Sequence, residues 1–124
     1  MLARTPEECL LPSLDKPSLE GLSYLLRHPE QWPLGFEWDY GKCETCAMGL
    51  AHNLWGIFSE STQRGLRSNY GTTSAIFDAR RAFEMEYDAA GFIFGALHAQ
   101  VDSFRDVTPI IVADAIDAYL ARRG

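Results

Sequence analysis

The sequence predicts a mainly α fold: a compact bundle of about five helices, with a short extended or β-hairpin-like aromatic segment between the first two. Three observations carry this. Apolar residues recur at three- and four-residue spacing in several stretches. Those stretches open on capping residues and close at proline or glycine. The chain is 47% hydrophobic and 12% aromatic, enough to build a core without a disulfide framework, and its three cysteines are an odd number for one. At 124 residues it reads as a single domain, 1–124.

Residues 1–16 read as an irregular N-terminal arm, interrupted by Pro6 and Pro12. The first helix is expected over Ser18–His28. Ser18 serves as its cap, Leu19, Leu22 and Leu26 share one face, and Pro29 is its stop. The connector Glu30–Lys42 alternates Phe36, Trp38 and Tyr40 with Glu37 and Asp39, a two-residue period. It reads as an aromatic flap over the helices or as a ligand-binding aromatic surface.

The second helix is expected over Glu44–Phe58. Projected at about 100° per residue, Cys43, Cys46, Ala47, Leu50, Leu54, Ile57 and Phe58 fall on one face. His52, Met48 and Trp55 fall on the other, as a packing surface or a partner interface. Ser59–Thr73 is polar, carries Gly65 and Gly71, and reads as a long loop with at most a turn of helix near Leu66.

The third helix is expected over Ser74–Met85, and the fourth over Asp88–Ser103, with Asp88 at its start. Apolar residues surround the fourth, which predicts burial on all sides. A Gly-Phe-Ile-Phe-Gly strand (91–95) is the rival reading. The fifth helix follows Asp106-Val107-Thr108-Pro109, with Thr108 as cap and Pro109 in the first helical position. Its expected buried face is Val112, Ala115, Ile116, Tyr119 and Leu120, with Asp114 and Asp117 opposite.

Charge and hydropathy exclude some function classes. The net charge of −6 disfavours a phosphate backbone, so no nucleic-acid partner is expected. No stretch approaches the roughly 18 apolar residues of a membrane span, so no membrane partner is expected. The first residues carry no apolar run of signal length. The expectation is a cytoplasmic protein with reduced thiols, requiring no cofactor and no metal.

The candidate reactive stretch is Trp38–Ala51, which holds Cys43-x-x-Cys46 at a loop-to-helix junction. A thiol at the first turn of a helix lies near unpaired amides and the positive dipole end, which favours thiolate. The candidate catalytic residues are Cys46, Cys43, His98 and Asp102, with Asp102 one helical turn beyond His98. Gly41-Lys42-Cys43-Glu44-Thr45-Cys46 resembles the G-x-C-x-x-C stretch of papain-like cysteine peptidases, which makes Cys46 the nucleophile; Ala47 departs from the family's Trp. In the smaller cysteine hydrolases of the NlpC/P60 kind the histidine lies nearer, as His98 does. C-x-x-C at a helix start is also similar to thioredoxins, which implies a reversible Cys43–Cys46 disulfide. Zinc held by Cys43, Cys46 and Cys9 or a histidine is a third chemistry. A hard cation on the Glu84–Asp88 cluster is a fourth. The plain alternative is burial, since Cys packs as a small hydrophobe.

The order Trp32-Pro33-x-Gly35, then Cys43-x-x-Cys46-Ala47-Met48-Gly49-Leu50-Ala51, then Asp106-Val107-Thr108-Pro109 resembles small bacterial and phage-borne domains with a W-x-x-G … C-x-x-G-A pattern. The likeness spans about two thirds of the chain, omits Ser59–Thr73 and implies a bacterial origin. The first functional expectation is a non-catalytic module acting through a protein partner or self-association. The alternative is a thiol-dependent enzyme or redox protein using Cys46 with Cys43 or His98.

Overall fold

A computed structural model describes residues 14–40, 46–66, 72–95, 97 and 106–123. Among them lie six α-helices: α1 (Leu19–Leu26), α2 (Ala47–Trp55), α3 (Glu60–Leu66), α4 (Thr72–Phe83), α5 (Tyr87–Gly95) and α6 (Pro109–Arg123), with a 3₁₀ turn at Pro29–Gln31. The chain is mainly α, and no strand occurs among the described residues.

Helix α1 starts as expected. Ser18 is extended, and its hydroxyl accepts from Gly21 N–H at 2.9 Å. Leu19, Leu22, Leu25 and Leu26 are buried, each contributing about 1.5–3 kcal/mol relative to exposure. Helix α1 packs most extensively on α6, whose Val112, Ala113 and Ile116 are buried in the same core, and also meets α2.

The fold bears out the exposure of Asp114 and Asp117 and adds Ala113 to the buried face of α6. Asp117 is exposed yet bonded back to α1. It accepts from Ser23 Oγ at 2.7 Å, and Arg27 bridges Asp114 and Asp117, each at 2.7 Å. Asp117 stands one helical step from buried Ala113, on the edge of the stripe that meets α1. Thr108 accepts from Ile111 N–H at 3.3 Å and opens α6.

The connector is a flap. The indoles of Trp32 and Trp38 donate to Leu25 O (2.7 Å) and Val107 O (2.8 Å). Tyr40 OH donates to Ile93 O at 2.9 Å and accepts from Leu97 N–H at 3.1 Å. These bonds tie one segment to α1, α5 and the lead into α6. Pro33-Leu34-Gly35-Phe36 makes the turn, with Gly35 at φ +84° and Phe36 N–H donating to Pro33 O.

Helix α2 ends earlier than expected, at Gly56 (φ +65°), whose N–H donates to His52 O at 2.7 Å. The projection misplaces two of its residues. Met48 is buried, whereas Leu54 is 44% exposed. Every residue from Cys46 to Ala51 is buried, and the last turn rises to the surface. Depth therefore changes along the axis of α2, a coordinate that a projection lacks.

The expected loop Ser59–Thr73 is a second correction, because it contains α3 and the start of α4. Ser59 caps α3: its hydroxyl accepts from Thr62 N–H at 3.3 Å. Fully buried Thr62 donates to Asp78 on α4, and Ser59 N–H donates to the same carboxylate oxygen at 2.9 Å. Among the described side chains, a buried carboxylate joins α3 to α4.

Residues 91–95 are helical, which removes the strand reading. Burial of α5 on all sides is a third correction. Ala90, Ile93 and Phe94 are buried, but Tyr87 and Phe92 are exposed.

Candidate functional site

Of the four candidate catalytic residues, Cys43, His98 and Asp102 lie outside the described residues. Cys9 of the zinc reading does too. Cys46 is the N-cap of α2, where its carbonyl accepts Leu50 N–H at 2.9 Å. It is 1% exposed, within a core that includes Ala47, Leu50 and Ala51. The junction expected from the sequence therefore exists, and the thiol sits beneath the surface.

His52 stands on the far side of α2, half-buried. Its ring stacks on Phe58 with centroids 4.5 Å apart, and Nδ1 accepts Phe58 N–H at 3.0 Å. An acceptor Nδ1 leaves the proton of the neutral ring on Nε2. The residue fastens the α2–α3 junction. Trp55 donates to Leu14 O at 2.9 Å and meets Phe83 edge-on. The far face of α2 is thus a packing surface.

Among the described residues, no three His, Cys, Asp or Glu side chains converge as a metal site. This corrects the hard-cation reading of Glu84, Glu86 and Asp88. Glu86 instead accepts Tyr119 OH at 2.7 Å, and that hydrogen bond holds its carboxyl below the usual range.

A cleft of about 730 Å³ runs beside α1 and α6, lined in part by Lys16, Ser23, Tyr24, Arg27, His28 and Asp117. Its central polar groups already serve one another. Ser23 and Arg27 bind Asp117, and the two carboxylates raise the Arg27 pKa, Asp114 most. His28 Nδ1–H donates to Tyr24 O at 2.7 Å, and the two rings stack at 4.1 Å. The cleft reads as the outer side of the α1–α6 clamp.

The outer side of α4 and α5 differs. Phe77 and Tyr87 are 47% and 44% exposed, with ring centroids 5.1 Å apart. Phe92 on α5 is 37% exposed. Arg80 and Arg81 line a shallow groove with Phe77, and Arg122 and Arg123 line another with Phe92. Arg123 reaches across to Glu84 O at 3.3 Å and lies 5.3 Å from the Tyr119 ring centroid. Between the grooves runs Glu84-Met85-Glu86, where Glu84 takes a left-handed conformation (φ +52°).

The sequence reading missed this surface. Helical periodicity does not distinguish a ring facing a core from one facing solvent, as at Phe77 and Phe92. The signal present in the sequence was α5 itself, with more apolar sides than one fold can cover. No helix among the described residues is long and apolar enough to cross a membrane. Comparison with protein-family models, with curated proteins and with solved structures gives no match.

Proposed function

We propose that the chain is a non-catalytic protein-interaction module of the bacterial cytoplasm whose contact surface is the outer side of α4 and α5. The exposed Phe77–Tyr87 pair carries the reading. Two aromatic rings in contact with each other and half open to water gain from a partner what the core does not give them. Aromatic and arginine side chains are the ones enriched in protein interfaces, and Arg80 and Arg81 flank this pair. The odd cysteine count suits a compartment that keeps thiols reduced. The charge of −6 argues against a nucleic-acid partner.

The alternative is a thiol-dependent enzyme or redox protein using Cys46, and its helix N-terminal position favours it. The burial of Cys46 weighs the other way, since a nucleophile must meet its substrate. Native-state labelling with a disulfide reagent decides between them, in a protein carrying Cys9→Ser and Cys43→Ser so that only Cys46 reports. The module reading expects labelling no faster than the fold opens. Stoichiometric labelling within seconds would overturn it in favour of the enzyme.

A further inference from the structure

His52 holds the chain that leaves α2 in two ways. Its carbonyl accepts Gly56 N–H at 2.7 Å, and its Nδ1 accepts Phe58 N–H at 3.0 Å. The first bond is between backbone groups and does not depend on pH. The second needs a lone pair on Nδ1, which only the neutral ring has in this tautomer. Phe58 is also held from the other side, where Gln63 Nε2 on α3 donates to its carbonyl at 3.1 Å. One residue thus links two helices, through its N–H to α2 and through its carbonyl to α3. His28 is the contrasting case: its Nδ1–H donates to Tyr24 O, a bond that holds with either charge on the ring.

We infer that the α2–α3 junction is a pH-sensitive latch, in which protonation of His52 releases Phe58 and the connector that leads into α3. Histidine is the side chain that changes charge between about pH 5 and 8. An imidazolium carries hydrogens on both nitrogens, so its Nδ1–H would face the Phe58 N–H across 3.0 Å. Phe58 is buried, and its N–H then has no acceptor. The stacked face tolerates the charge, because an aromatic ring accepts a cation over its plane. The ring edge therefore sets the switch. Among the described residues no carboxylate offsets it. Helix α2 carries no charged side chain besides the ring. Glu60 and Arg64 on α3 are exposed, as is Arg80 on α4, and Asp78 pairs with Arg81 at 2.9 Å. None of these bonds to His52. Gly56, left-handed at φ +65° with open space where a Cβ would stand, is the pivot. Asp78 still holds Thr62, so α3 stays on α4 and the release is local.

Amide hydrogen exchange of the full chain tests this, with each rate referred to that of an unstructured peptide at the same pH. Between about pH 7.5 and 5.5 the protection of Phe58 should fall at least about tenfold. Leu50 N–H, which is held on Cys46 O, should keep its protection. His52→Gln offers a side-chain oxygen that does not titrate, so the fall should vanish, whereas His28→Gln should retain it. Constant Phe58 protection over this interval would overturn the latch, as would a fall that persists in His52→Gln. Imidazole ¹⁵N shifts of the wild type keep the test independent of how the variant folds. His52 Nδ1 should be bare at about pH 7.5 and gain its proton as Phe58 loses protection. A proton on Nδ1 already at the upper pH would overturn the proposal.

Discussion

Ser23 Oγ donates to Asp117 Oδ1 at 2.7 Å and ties α1 to α6 across 94 residues of chain. The same carboxylate takes Arg27 through its other oxygen. Ser23 is buried, so its hydroxyl depends on that partner. Asp117→Ala should destabilise the fold by about 1–3 kcal/mol, chiefly by leaving the Ser23 hydroxyl without an acceptor. Arg27→Met should lose less, about 0.5–1 kcal/mol, because the ion pairs are open to solvent. Urea unfolding of both variants checks the order.

Asp78 is the heavier anchor. It is 2% exposed and accepts from Ser59 N–H, Thr62 Oγ1 and Arg81. Asp78→Ala strands the buried Thr62 hydroxyl and the half-buried Ser59 N–H and should lose about 2–3 kcal/mol. Thr62→Val keeps the shape, removes one donor and should lose about 1–2 kcal/mol. A double-mutant cycle should give a coupling of about 1 kcal/mol between the two positions. Additive losses would mean that α3 is held by something other than this carboxylate.

Helix α4 ends in a Schellman turn, with Met85 N–H donating to Arg80 O at 3.1 Å and Glu84 in the left-handed position. Glycine is the usual residue there, because a Cβ is strained at that φ. Glu84→Gly should stabilise the monomer by about 0.5–1 kcal/mol, read as a raised urea midpoint at unchanged slope.

Tyr119 OH on Glu86 gives a pH prediction. The hydrogen bond lowers the Glu86 pKa in the folded state. The contribution is therefore complete above the ordinary glutamate range, about 4.3. It is lost as the pH falls through the lowered value. Tyr119→Phe should return the carboxyl to the ordinary range in an NMR titration and flatten the acid limb of stability over that interval. An unchanged Glu86 titration would contradict the contact.

What the sequence disclosed follows the range of the interactions. Ser18 and Thr108-Pro109 are local signals, and both helix starts were legible from neighbouring residues. Helix α3 was not, because its fully buried Thr62 is matched by a carboxylate in the next helix, 16 residues away. Leu54 and Met48 were exchanged because helical phase ignores depth along the axis. Asp117 is exposed as its place on the helix implies, but its bonds to Ser23 and Arg27 were not legible because those partners lie at the other end of the chain. The Cys46 junction was legible as a helix start, and the depth of the thiol beneath the surface was not. The exposed side of α5 was visible only as an excess of apolar residues, which the sequence reading assigned to the core.

Native-state thiol labelling tests the account most directly, in a chain carrying Cys9→Ser and Cys43→Ser. Buried Cys46 should label no faster than the fold opens. Stoichiometric labelling within seconds would contradict the account.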